Sequence, residues 1–301
     1  MSTYIDYILL KGGEDVIKVT ADSTCDLSPD ILKSLGITLV PLSILVEDKA
    51  YKDGIDIKPS DIFHYVEKEN KICKTAAVNS YEYYNLFKKL RKDYDAIIHV
   101  SISSDFSSCY QNATIAAAEF EHVYVIDSRN LSTGSGHIAL DAAIMAKEGE
   151  SVEKICQKLE ETASMVDASF VINTLDYLHK GGRCSGLEVF GANLLKIKPS
   201  IEVVNGKMKV GKKYRGNFNL CLENYIRDKF AVTDDINTSR LFITHSPVPE
   251  GTVELVKDLI SSYVTFDEII DTDAGCTVSS HCGPNTLGVL FKRHSVKQNG
   301  V

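Results

Sequence analysis

Residues Val16 to Gly36 read VIKVTADSTCDLSPDILKSLG. An apolar run, VIKVTA, breaks into a polar turn, and the turn gives way to a stretch with Ser28 placed as N-cap, Pro29 at the first helical position and Gly36 just past the end. A serine hydroxyl accepts the orphaned N–H of a first helical turn, proline's fixed φ suits that turn, and glycine tolerates the left-handed exit. The reading is strand, turn, helix. The unit recurs: AIIHV (96–100) runs into SISSDFSSCYQNA, whose tail NATIAAAEF (112–120) is helical, and HVYVIDS (122–128) precedes helices over 133–148 and 152–165. Between the first two units ITLVPLSILVED is extended, PSDIFHYVEKEN is a helix with Ser60 as its cap, and YEYYNLFKKLRKD (81–93) is a further helix. Strands written as continuous Val/Ile runs belong to a parallel sheet covered on both faces. Residues 1–166 are therefore expected to form an α/β/α three-layer domain with a parallel sheet.

After Asp167 the texture changes. ASFVI reads as a strand, LDYLHKGG as a short helix and LEVFGANLLK (187–196) as another. IKPSIEVVNGKMKVGKK reads as two strands joined at Asn205-Gly206, a strong hairpin signal. A helix (217–231), RLFITHS, a helix (250–262) and the strands FDEIIDTD and TLGVLFK follow. Residues 167–301 are expected to be a two-layer α+β domain with a mixed sheet.

At 301 residues the chain is long enough for about two domains, and hence for a cleft. No run approaches the roughly 18 apolar residues that span a bilayer, and the N-terminus MSTYIDYILLKGGEDV lacks the basic leader of a secretory signal, so a cytoplasmic location without membrane insertion is expected. A net charge of -8, from 41 acids and 33 bases, argues against a sequence-independent grip on nucleic acid. Only GKMKVGKKYRG (206–216) is locally basic; it is either a solvated hairpin or a dock for an acidic partner or a phosphate. The eight cysteines contain no C-x-x-C pair, and Cys276, His281 and Cys282 offer at most three irregularly spaced ligands, so no metal site is expected.

Gly206 to Lys213 spells G-x-x-x-x-G-K-K, where the last lysine cannot ligate magnesium and no helix follows directly. Gly134 to Ala139 matches G-x-G-x-x-A, but five residues separate it from its strand, so the tight turn of a dinucleotide site is missing. What remains is a set of hydroxyl-rich segments: DSTCDLS (22–28), KTAAVNS (74–80), SISSDFSSCY (101–110), DSRNLSTGSG (127–136) and SSHCG (279–283). Each alone is explained by helix capping. Together, at the carboxyl edge of one parallel sheet, they would build a pocket mouth of neutral donors and helix N-termini suited to one anionic group.

The order of these motifs resembles the DegV family of bacterial fatty-acid-binding proteins. VTADSTCDL is similar to that family's D-S-T-x-D-L opening, KTAAVN to its T-S-Q-P-S element and FSSCYQNA to its L-S-G-T-Y-Q-S-A turn. DSRNLSTGSG, LDYLHKGGRCSG, KIKPSIEVVNGKMKVGKKYRG and SSHCGPNTLGVLF then follow in family order, so the likeness runs from Val16 to Phe291. The resemblance implies a long-chain fatty acid between two domains, its tail in the second, with no further cofactor. It implies a carboxylate held by Thr75 and Ser107, with the backbone N–H of the Ser107-Ser108 turn and His281 nearby, and Asp22, Ser23 and Arg183 at the pocket mouth. It also implies that the holder is not itself an enzyme: a separate ATP-dependent kinase converts the carboxyl to an acyl phosphate for phospholipid synthesis, and Arg215 meets that kinase. Ser108 stands where the family turn has glycine, and is expected to restrict close backbone approach there. Two rival readings remain: a serine hydrolase of acyl esters using Ser107 or Ser23 with His281, and a nucleotide or sugar-phosphate binder using the segment near Gly134.

Overall fold

The computed structural model describes residues 16–185 and 197–296. Four parallel strands, β1 (Ile17–Asp22), β2 (Thr38–Val40), β6 (Ala96–Ser101) and β7 (Val123–Asp127), form a sheet in the order β2-β1-β6-β7. β6 is buried at every position, as a strand covered on both faces must be. Helices α3 (Ser80–Leu90) and α4 (Cys109–Ala117) pack on each other. Helix α5 (Thr133–Lys147) packs on α1 (Pro29–Leu35) and α6 (Val152–Ala163), and α4, α5 and α6 all lie against the sheet. The opening stretch folds as read: Ser28 Oγ accepts from Ile31 N, Pro29 starts α1, and Gly36 exits at φ 68°. Helix α2 (Pro59–Glu67) differs. Its N-cap is Lys58, whose N–H donates to Asp61 Oδ2 at 2.9 Å, because Pro59 takes the first helical position and moves Ser60 inside.

The second sheet has seven strands in the order β13-β12-β14-β8-β10-β11-β9. They are β8 (Val166–Val171), β9 (Cys184–Ser185), β10 (Ile197–Val204), β11 (Lys207–Arg215), β12 (Ile236–His245), β13 (Ile269–Asp273) and β14 (Leu287–Arg293). The β12–β13 and β11–β9 pairs are parallel and the rest antiparallel, so the sheet is mixed as expected. Asn205 and Gly206, at φ 52° and 82°, make the two-residue turn between β10 and β11. The turn is pinned rather than solvated: Ser103 Oγ donates to Gly206 O at 2.8 Å and Arg129 to Asn205 O at 3.0 Å.

Alternation along β14 and β8 shows what this sheet separates. Val171, Leu287, Val289 and Phe291 join a core beneath α8 (Phe218–Lys229) and α9 (Thr252–Ser261), while Phe170 and Leu290 point the other way, into the core that contains Val19 and Ile98 of the parallel sheet. The expected second layer is thus followed by a third, because α5 covers the far face; His137 on α5 is hydrogen-bonded through Nε2 to Leu290 O.

A small third sheet, β4-β3-β5, is formed by β3 (Ser43–Val46), β4 (Lys49–Lys52) and β5 (Cys73–Ala76). The segment 187–196, read as a helix, lies outside the described residues. Among the described residues no helix is long and apolar enough to cross a membrane.

The glycines near the start of α5 are packing residues. A Cβ on Gly136 would sit 2.7 Å from Cys25 O, and one on Gly134 would sit 2.9 Å from Asn130 Oδ1. The G-x-G-x-x-A pattern thus lets α5 lie against the turn after β1. Gly136→Ala must push backbone apart, and the expected cost is about 1–3 kcal/mol, read as a lowered urea midpoint with an unchanged slope.

Candidate functional site

At the carboxyl end of β1, Asp22 is buried and its carboxylate accepts from Tyr83 Oη, from Ser101 Oγ at 2.8 Å and from Ile102 N at 2.9 Å. Burial pushes its pKa up, but His99, 3.4 Å away, and these donors outweigh that and hold it below the usual carboxylate range. Asp22 therefore ties β1, β6 and α3 together, and its oxygens are spent inside the core. Ser23 is spent likewise, donating to Asp53 Oδ2 at 3.1 Å and accepting from Leu42 N at 3.2 Å. Neither residue lines the cavity described next.

Two carboxylates that the sequence reading did not single out hold the start of helix α10 (Cys276–Cys282). Asp26 Oδ1 accepts from Gly275 N at 2.9 Å; Asp53 accepts from Cys276 N at 2.9 Å and from Thr277 N at 3.1 Å. Unpaired N–H groups of a first turn are natural partners for carboxylates. Burial, more than the nearby Asp53 and Asp273 charges, pushes Asp26 up to about 8 despite its hydrogen bonds from Ser132 and Gly275.

Helix α10 so held presents Thr277, Val278, His281 and Cys282 to a cavity of about 170 Å³ between the two sheets. Ile102, Phe106, Leu131 and Met208 give it an apolar body, and Thr75, Ser107, Ser108, Arg183 and His281 a polar end. Five of the expected site residues are thus brought together. Thr75 Oγ1 and His281 Nε2 are 2.9 Å apart. Ser108 sits at φ -75°, a conformation any residue adopts, so serine in place of glycine strains no backbone there. Arg215 is elsewhere, on the exposed end of β11 beside Lys212, Lys213 and Arg227.

The collar is uncharged apart from Arg183. Burial, with the positive charge of Arg183 added, lowers the His281 pKa to about 4, so its ring is neutral at physiological pH. Gly181, at the end of α7 (Asp176–Gly181), sets its orientation: a Cβ there would lie 2.2 Å from His281 Nδ1. Nδ1 is buried with no hydrogen-bond partner among the described residues. An N–H pressed against Gly181 would be an orphaned donor, whereas a lone pair there is cheaper. The proton accordingly belongs on Nε2, which donates to Thr75 Oγ1, and the Thr75 hydroxyl is left to donate into the cavity. Gly181 was legible only as half of a Gly-Gly pair.

This geometry speaks against the hydrolase. Ser107 Oγ donates to Cys109 Sγ at 3.2 Å and Ser23 to Asp53; the hydroxyl on His281 belongs to Thr75, and among the described residues no carboxylate orients the ring. It also separates the serines of the 101–110 segment, since Ser101 and Ser103 serve Asp22 and the hairpin turn. Among the described residues no group of three or more His, Cys, Asp or Glu side chains is placed to hold a metal ion, and Cys276 Sγ donates to Ile57 O.

The sequence model of a family described as "Uncharacterised protein, DegV family" matches residues 16–294. The chain belongs to the DegV family. A DegV domain-containing protein of Caldanaerobacter subterraneus subsp. tengcongensis is 33% identical over 92% of this chain and 98% of its own. A protein of Thermotoga maritima named as a fatty acid-binding protein is 30% identical, over 90% of this chain and 96% of its own. The solved structure of a fatty-acid-binding DegV family protein from Thermus thermophilus superposes with a TM-score of 0.85 at 27% identity, covering 92% of this chain and 99% of that one. The arrangement of parallel and mixed sheets is therefore the DegV fold.

Two outcomes follow for the collar. The His281 imidazole resonances are expected to titrate near pH 4 rather than near 6.5. An unfolded histidine takes its proton near pH 6.5 and the folded one only near 4, so this residue makes the fold lose stability as pH falls across that window. Gly181→Ala should push the ring off Thr75 and return the titration toward pH 6.5; an unmoved midpoint would show that Gly181 does not set the ring.

Proposed function

We propose that this chain binds a long-chain fatty acid, holds its carboxylate at Thr75, Ser107 and His281, and presents it to an ATP-dependent kinase partner that makes the acyl phosphate. The observation that carries the reading is the neutral Thr75–His281 pair at the polar end of an otherwise apolar cavity. The naming of DegV relatives as fatty acid-binding proteins supports it.

A tail of about 15 methylenes at ~0.8 kcal/mol each gains roughly 12 kcal/mol gross on burial, enough for retention after the costs of association. The head needs only hydrogen bonds that avoid the ~1–3 kcal/mol penalty of an unsatisfied buried group. The cavity of about 170 Å³ shares Leu131, Val278 and Cys282 with a narrow void of about 30 Å³ that runs along Phe170, Val203, Gly288 and Leu290 of the mixed sheet. A void of roughly 150 Å³ accepts a benzene-sized guest, so a full tail takes the narrow part and widens it, with flexible Met208 beside the entrance. In this reading the tail lies against residues 167–301, the head against residues 1–166 and α10.

The kinase partner is the finer part of the proposal. The exposed Arg215 and Arg227, around a shallow depression in which Lys212 is paired with Asp228 at 3.3 Å, support contact with an acidic surface. A partner that uses ATP supports a cytoplasmic location for the pair.

Native mass spectrometry of protein purified without added lipid should find a co-purifying long-chain acid; bare protein under conditions that preserve complexes would refute the reading. Ser107→Ala should weaken retention only a few-fold, while hydroxamate trapping with the kinase shows a larger fall in acyl phosphate. Phosphorylation at the wild-type rate would remove Ser107 from the presenting role. Arg215→Glu should keep the lipid and lose kinase-dependent phosphorylation.

A further inference from the structure

Beyond the collar, on the outer side of Thr75 and His281, lies a second cavity of about 280 Å³. Thr75, Arg183 and His281 line both cavities and form the wall between them. Among the described residues the outer cavity is lined by Lys71, Lys74, Lys180 and Arg183 and by no acid, in a chain whose net charge is -8. Lys71 is neutralised by Glu47 at 3.2 Å and Glu69 at 2.7 Å. Lys74, Lys180 and Arg183 have no ion-pair partner among the described residues. Arg183 Nη1 donates to Gly181 O at 2.6 Å, which anchors one corner of the guanidinium and leaves its other N–H groups to the cavity. Tyr177 lines the same space, and its buried Oη has no hydrogen-bond partner among the described residues. Burial, then the Glu67 charge, pushes its pKa up to about 12, so the phenol keeps its proton and remains a donor.

Lys74, Lys180 and Arg183, exposed and without an ion-pair partner among the described residues, line one concavity, and an anion bound there offsets their mutual repulsion. The chemistry differs from that of the collar. A monoanionic carboxylate is satisfied by a few neutral donors, whereas a phosphate monoester carries about -1.5 to -2 charge on three strong acceptor oxygens and calls for Arg and Lys.

We propose that the outer cavity is a phosphoryl-dianion site formed by Lys74, Lys180 and Arg183, taking either the phosphate of an acyl phosphate whose acyl carbon sits at the Thr75–His281 wall or a free phosphate beside a bound acid. The acyl-phosphate arm rests on the fatty-acid reading above; the anion site itself does not. Occupancy of both cavities by one molecule makes the chain a better holder of product than of substrate, so the product stays through transfer to the next reaction that consumes it.

The test uses the full-length protein and a Lys74→Gln/Lys180→Gln variant, both side chains being exposed and outside the carboxylate collar. Hexadecyl phosphate is competed against hexadecanoate on each protein. The expected result is a preference for the phosphate of at least tenfold in the natural protein that falls at least tenfold in the variant, with hexadecanoate binding unchanged. In parallel, inorganic phosphate is titrated into hexadecanoate-loaded protein and followed by phosphorus NMR. A response lost in the variant assigns the site to free phosphate; silence there beside a positive competition assigns it to phosphate borne on the tail. An unchanged competition ratio together with no phosphorus response overturns the proposal. If the natural protein holds neither long-chain ligand, the fatty-acid reading is what fails, and the phosphorus titration, run on the protein and its variant without added acid, decides the anion site.

Discussion

The site depends on how helix α10 is held. Its first N–H groups are taken by Asp26 and Asp53, from loops that follow β1 and β4, although the helix itself lies far along the chain. Those bonds carry the long-range closure: they deliver Thr277, Val278, His281 and Cys282 to a cavity whose other walls come from the parallel sheet and the hairpin. A seven-residue helix has little stability of its own. Its position follows from carboxylates that satisfy orphaned donors in a place water does not reach.

From that anchorage follows a division of polar labour along one line. The core carboxylate of Asp22 is satisfied by protein donors and does not line the cavity. Next comes a collar in which His281 is kept neutral by burial and turned by Gly181, so that the hydroxyl of Thr75 faces inward. Outside it stand the lysines and Arg183. Charge is satisfied by donors in the core at Asp22, absent from the Thr75–His281 pair, and open only toward solvent, where it costs least to maintain.

The parallel sheet was legible in the sequence because its strands are unbroken Val/Ile runs and its first helix carries a proline start and a glycine stop; the hairpin was legible because Asn-Gly supplies two left-handed residues. Helix α10 was not, since six of its seven residues are buried and no periodic face survives. The β3–β4 turn escaped notice because Glu47, at φ 53°, stands where glycine or asparagine would announce it. In the site, Thr75, Ser107, Ser108, Arg183 and His281 converge as the motifs suggested. Asp22 and Ser23 do not, for hydrogen-bonding capacity spent in the core looks the same in a sequence as capacity offered to a ligand. Asp26, Asp53 and Gly181 act through contacts with residues more than 90 positions away, which no local pattern records.

The narrow void along β8, β10 and β14 touches none of Thr75, Ser107 or His281. Substitutions at Phe170, Val203 or Leu290 reshape its length and width without disturbing the hydrogen bonds at the opposite end. Evolution is thereby given two independent dials on one scaffold. On the fatty-acid reading proposed above, a lineage that meets longer, branched or kinked chains can follow them by trading methyl groups on a sheet face, while the handling of the reactive end passes on unaltered.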